Sequence, residues 1–90
     1  MKASTLLMTC EVCPSQWEGK LDDGRMFYIR YRWGSLSVRV SRAVTNDVDD
    51  AVLGESVLEV DHDNDWDGYM STKDMQNHTN HVLDWSNIAV

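Results

Sequence analysis

The chain has 90 residues, of which 42% are hydrophobic and 26% charged, and its formal net charge is −7 at pH 7. This length encloses one hydrophobic core, so we expect a single domain over residues 1–90. The apolar runs are too short for a membrane-spanning helix, and the net charge disfavours long nucleic acid and anionic membranes as partners.

The charges are unevenly distributed along the chain. Residues 24–46 hold five arginines and no acidic residue, whereas residues 47–90 hold eleven acidic residues and one lysine. Salt screens charges that lie more than about 10 Å apart, so a cationic segment keeps its own local field. This segregation predicts a local anion-binding surface within an acidic protein.

The two cysteines, Cys10 and Cys13, are fewer than a disulfide-stapled secreted domain of this size usually contains. The first ten residues lack the apolar stretch of a signal peptide. We therefore expect a cytoplasmic protein with reduced thiols.

Alternating apolar and polar residues predict the first elements. Residues 5–12 read as a half-buried strand that ends at Pro14, and the glycines within residues 14–24 predict a loop. Residues 25–33 and 35–41 alternate in the same way and predict a hairpin with its turn at Trp33-Gly34. The matching apolar faces then pair Tyr31 with Leu36, Ile29 with Val38 and Phe27 with Val40.

The second half of the chain is less regular. Residues 43–56 fit a short helix weakened by Gly54, and residues 57–60 either extend that helix or form a strand. Ser71 and Asp74 form a capping box for a helix near Thr72. Its buried stripe would consist of Met75, Thr79, Val82 and Trp85. We expect an α+β fold, with a small antiparallel sheet of three or four strands and a C-terminal helix packed on it.

The non-core face of the hairpin suggests a ligand site. It carries Tyr28, Arg30, Arg32 and Arg39 together with Ser35 and Ser37. Guanidinium groups bind phosphate through paired donors, and aromatic rings stack on bases. We expect Arg30, Arg32 and Arg39 to hold phosphates, and Tyr28 and Trp17 to stack on a base. Glu18 would reach the ligand from the preceding loop. Arg25 is a second-rank candidate for ligand binding. Alternatively, the arginines pair with acids of the C-terminal half and stabilise the fold.

Residues 63–74 match the spacing of a calcium loop. The predicted ligands are Asp63, Asp65, Asp67, Tyr69, Ser71 and Asp74, with Gly68 at the sharp turn. The segment resembles EF-hand loops, and its final Asp is similar to that of dockerins. Three features depart from the pattern: the loop is single, its last ligand is not Glu, and the preceding segment is strand-like. A metal-free turn before a capped helix is the alternative.

Other chemistry has less support. Cys10-x-x-Cys13 and His78-x-x-His81 supply four zinc-ligating side chains, but the two histidines stand one residue closer than usual. The alternative is a buried Cys10, a loop Cys13 and solvated histidines. The chain has no nucleophile elbow, phosphate-binding glycine loop or His-Glu-x-x-His motif, so we expect no enzymatic activity.

One stretch resembles a known group of sequences. Residues 13–19 (CPSQWEG), 23–25 (DGR) and 28–34 (YIRYRWG) are similar to small open reading frames of phages and prophages, over roughly residues 10–42. By analogy, such domains resemble host-defence antagonists, some of which sequester cyclic or ADP-ribose-type nucleotides while others block a nuclease by protein contact. The resemblance implies action in the host cytoplasm and assigns no residue a role.

These observations lead to one main hypothesis. We expect a non-enzymatic, homo-oligomeric binding protein that sequesters a phosphorylated small molecule and requires no cofactor. A calcium-binding, EF-hand-like interaction module is one alternative. The other is an inhibitor of a host protein, in which the acidic C-terminal half imitates nucleic-acid phosphates.

Overall fold

The computed structural model describes residues 1–10, 15–32, 34–61 and 70–88. These residues form one antiparallel sheet and two short helices, which confirms the α+β class. The strands are β1 (Leu7–Cys10), β2 (Ser15–Lys20), β3 (Met26–Arg32), β4 (Ser35–Val40) and β5 (Glu55–Asp61), and the helices are α1 (Val48–Val52) and α2 (Thr72–Thr79). The strand order β1-β2-β3-β4-β5 is a meander, in which each strand pairs with its neighbour in sequence.

The predicted hairpin is confirmed in its register. β3 and β4 pair Tyr31 with Leu36, Ile29 with Val38 and Phe27 with Val40. Gly34, between the two strands, has a φ of 73°, a backbone conformation that glycine adopts without steric cost. The register places the apolar side chains of the hairpin on one face of the sheet and its arginines on the other.

The predicted loop over residues 14–24 is wrong, because residues 15–20 form β2 between β1 and β3. Ser15, Trp17 and Gly19 are buried in alternation with half-buried neighbours. Gly19 serves close packing rather than a turn, since a Cβ there would lie 2.6 Å from the Phe27 ring. The turn signal is correct only for the short connection near Gly24, where φ is 92°.

The structure also resolves the ambiguous middle of the chain. Asp47 caps α1 by accepting a hydrogen bond from the Asp49 backbone N–H at 3.0 Å. Residues 55–61 then form the strand alternative, β5, which pairs with β4. The sheet described therefore has five strands, one more than the upper limit expected from the sequence.

Helix α2 begins as predicted, with the Ser71 Oγ accepting a hydrogen bond from the Asp74 N–H at 3.1 Å. Met75 and Thr79 are buried as expected, and Gln76 is buried as well. Val82 and Trp85 come after the helix ends, yet both pack against the core. The Trp85 ring lies edge-on to Phe27, with 5.7 Å between the ring centres.

The core occupies one face of the sheet. Its largest fully buried side chains are Trp17, Phe27, Ile29, Leu36, Met75 and Leu83. Two of these come from α2 and the segment after it, so the C-terminal region covers this face. Within the described ranges, no helix is long and apolar enough to cross a membrane.

Candidate functional site

The opposite side of the sheet carries the arginines. Residues that pair across antiparallel strands share a face, so the register determines its composition. It includes Gln16 and Glu18 of β2, Tyr28, Arg30 and Arg32 of β3, Ser35, Ser37 and Arg39 of β4, and Glu59 and Asp61 of β5. We refer to this surface as the arginine face.

A shallow depression of ≈ 350 Å³ lies in the arginine face. It is lined by Arg30, Arg32, Ser35, Ser37 and Glu59. Arg30 pairs with Ser37, and Ser37 pairs in turn with Glu59, so these three form one row across β3, β4 and β5. The depression therefore combines two guanidinium groups, two hydroxyls and one carboxylate.

Arg30 has an unsatisfied donor in this depression. Its Nε is buried and has no hydrogen-bond partner among the residues that the structure describes. Its neighbours on β2 and β4 are the uncharged Gln16 and Ser37. An unsatisfied buried donor costs about 1–3 kcal/mol, so an acceptor that reaches the Arg30 Nε would be bound favourably. In the described part of the chain, no acid lies within ion-pair distance of Arg30.

Tyr28 lies two residues before Arg30 on the same face and is half-buried. Burial raises the pKa of its phenol, as do the charges of Glu18 and Cys10, whereas the charge of Arg30 lowers it. The net shift is upward, so the phenol remains protonated at neutral pH and keeps its O–H for donation. Glu18 pairs directly with Tyr28 across β2 and β3.

The structure gives Arg39 a different environment. Its Nη1 donates to the carbonyls of Val52, at 3.5 Å, and Gly54, at 3.3 Å. These carbonyls lie at the C-terminal end of α1, where a cation also interacts favourably with the helix dipole. Arg39 thus shares the arginine face but is engaged by α1, and it does not line the depression.

Arg25 lies in the turn between β2 and β3, away from the depression. Its Nε forms an ion pair with the Asp23 Oδ2 at 2.8 Å. The Asp23 carboxylate also accepts a hydrogen bond from the Arg25 backbone N–H at 3.0 Å, and this bond is the main reason that the pKa of Asp23 is lowered. The structure therefore gives Arg25 a local partner in this turn.

Trp17 is not available to stack on a ligand at the arginine face. Its side chain is 0% exposed and lies in the core on the opposite side of the sheet. Its Nε1 donates to the Thr72 Oγ1 at 3.0 Å, which joins β2 to the start of α2. The expectation of a stacking role fails because Trp17 alternates with Glu18 on a strand, where successive side chains point to opposite faces.

Sequence reasoning missed Glu59 as a member of the site. The residue approaches Arg30 and Arg32 only because β5 pairs with β4. The pairing contains an irregularity between Val38 and Arg39, which shifts the register of β5 by one residue. The regular alternation of apolar and polar residues in β4 does not predict this shift.

Most of the predicted calcium loop, namely Asp63, Asp65, Asp67 and Tyr69, lies outside the described residues. Ser71 is the N-cap of α2, and Asp74 is exposed in its first turn. In the ranges that the structure describes, no three potential ligand side chains cluster as a metal site would require. Of the predicted zinc ligands, Cys13 lies outside those ranges, Cys10 is half-buried in β1, and His78 and His81 are exposed.

These features describe a small α+β domain in which a five-stranded meander has one core face and one arginine face. Compared with protein-family models, curated proteins and solved structures, the chain has no match. Its function is therefore argued from the chemistry of the site.

Proposed function

We propose that this protein is a non-enzymatic binding protein that sequesters a small phosphorylated molecule on its arginine face. The observation that carries the proposal is Arg30. Its Nε is buried without a partner, beside a depression that it lines with Arg32. A phosphate would supply an acceptor to this Nε, which has none among the described residues, and would pair with the guanidinium charge.

The other lining groups suit the same kind of ligand. Arg30 and Arg32 lie two residues apart on β3, so both point out of the arginine face. The hydroxyls of Ser35 and Ser37 add donors beside the two guanidinium groups. Tyr28 adds a protonated phenol and an aromatic surface at the side of Arg30.

The mode of action follows from the shape of the site. The depression is shallow, and its lining groups are suited to holding an anion rather than to activating a nucleophile. A protein of this kind acts by mass action and lowers the free concentration of its ligand. The resemblance of residues 10–42 to small phage reading frames fits a stoichiometric binder, and a signalling nucleotide of host defence is one such ligand. The expected homo-oligomer remains a prediction, which sedimentation of the purified protein measures.

Titration calorimetry tests the proposal with matched arginine variants. The probes are ADP-ribose, a cyclic dinucleotide and pyrophosphate, and the variants are Arg30→Gln and Arg42→Gln. Arg42 is an exposed arginine that does not line the depression, so its substitution is a control for net charge. We expect binding of at least one probe, weakened about tenfold or more by Arg30→Gln and less than about twofold by Arg42→Gln. Absence of heat with every probe, for protein that melts cooperatively, contradicts the proposal.

A further inference from the structure

The arginine face is not uniformly cationic. Tyr28, Arg30 and Arg32 lie on the central strand β3, and they are flanked by Glu18 on β2 and by Glu59 and Asp61 on β5. Of these acids, Glu59 lines the depression together with the two arginines. The ligand must therefore fit a depression that holds a carboxylate as well as guanidinium groups.

Glu59 does not neutralise Arg30 in the described structure. The two residues belong to the same cross-strand row, but Ser37 separates them. Neighbouring strands are about 4.8 Å apart, so the backbones of Arg30 and Glu59 are separated by roughly 10 Å. Within the described ranges, Arg25 forms an ion pair with Asp23, whereas Arg30 and Glu59 form none with each other. The Arg30 Nε has no acceptor there.

From this arrangement, and resting on the proposed function, we infer that Glu59 is a specificity residue that selects phosphorylated ligands with hydroxyl donors on a neighbouring sugar. A bare phosphate or pyrophosphate supplies an acceptor to the Arg30 Nε but is repelled by the Glu59 carboxylate. A ribose diol next to the phosphate donates hydrogen bonds to that carboxylate. The depression thus favours a nucleotide or sugar phosphate over an inorganic anion.

The test compares two substitutions on the same strand. Glu59→Gln and Glu55→Gln each remove one negative charge from β5. Both residues are exposed, but Glu55 does not line the depression. Each variant is titrated with ADP-ribose, which carries ribose diols, and with pyrophosphate, which carries none.

We expect Glu59→Gln to weaken ADP-ribose binding and to strengthen pyrophosphate binding, each by about tenfold. Glu55→Gln should change both affinities by less than about twofold, because an exposed charge outside the site acts only through screened solvent. If Glu59→Gln moves both affinities in the same direction, or neither, the inference is wrong while the proposed function stands. If the unsubstituted protein binds neither probe but binds the cyclic dinucleotide, the inference is wrong while the proposed function stands. If it binds none of the three, both fail.

Discussion

The Trp17 indole donates its Nε1 hydrogen to the Thr72 Oγ1 at 3.0 Å, and the two residues are 55 positions apart in the chain. Trp17 is fully buried in β2, and Thr72 is the first residue of α2. The bond therefore fixes the start of the C-terminal helix against the core face of the sheet.

Replacing this indole tests its structural role. Trp17→Phe removes the donor and part of the buried ring, so we expect the free energy of unfolding to fall by about 1–3 kcal/mol. Denaturant unfolding measures the loss. Affinity for the ligand should stay within about twofold of the original, because Trp17 lies on the opposite face of the sheet from the depression. A variant of full stability that has lost binding would instead make Trp17 part of the site.

Arg39 is expected to stabilise the fold more than it contributes to binding. Arg39→Met keeps the aliphatic stem but removes the donor that reaches the Val52 and Gly54 carbonyls. We expect a loss of about 1 kcal/mol in the free energy of unfolding, with ligand affinity reduced far less than in Arg30→Gln. Denaturant unfolding and titration calorimetry on Arg39→Met and Arg30→Gln measure the two effects separately. Equal losses of affinity in both would place Arg39 in the ligand site.

Tyr28 should make stability depend on pH in the alkaline range. Its pKa in the folded protein is raised above the ordinary value of 10.0, mainly by burial. As the pH rises through about 10, the unfolded chain loses this proton first, so the free energy of unfolding falls. Tyr28→Phe removes this contribution and leaves the other tyrosines in place.

The free energy of unfolding of the original protein and of Tyr28→Phe is measured in steps from about pH 8 to pH 11. We expect the original protein to lose stability more steeply than Tyr28→Phe above about pH 10. Parallel curves would show that folding leaves the Tyr28 pKa unchanged.

Calcium binding by residues 63–74 remains a prediction from sequence spacing. A site that binds only the folded protein must raise its melting temperature. The calcium-binding alternative predicts an increase of several degrees in millimolar calcium, since about 1 kcal/mol shifts the melting temperature of a domain this small by about 4–8 °C. Asp65→Asn removes a predicted ligand and should abolish the increase. An unchanged melting temperature in the original protein would exclude the predicted calcium loop.

The sequence predicts those features that depend on local patterns. The alternation in residues 25–41 is sufficient for the β3–β4 register and for the outward position of Arg30 and Arg32. Ser71 and Asp74 are sufficient for the start of α2, because capping depends on residues three positions apart.

Features that depend on contacts distant in sequence were not predictable. Gly19 reads as a loop residue until Phe27 is packed against it. Arg39 resembles the other arginines of the hairpin until α1 presents its carbonyls. Glu59 joins the site only through the pairing of β5 with β4. In each case the missing information is which element packs against the residue. The sequence of a single strand does not specify that element.

The measurement that most directly tests the central claim is the affinity of Arg30→Gln for ADP-ribose, compared with that of Arg42→Gln. Both variants lose one positive charge, but only Arg30 lines the depression. We expect Arg30→Gln to bind about tenfold or more weakly while its melting temperature does not fall, because the Arg30 Nε has no acceptor to lose among the described residues. Equal affinity in the two variants would contradict an anion site at Arg30.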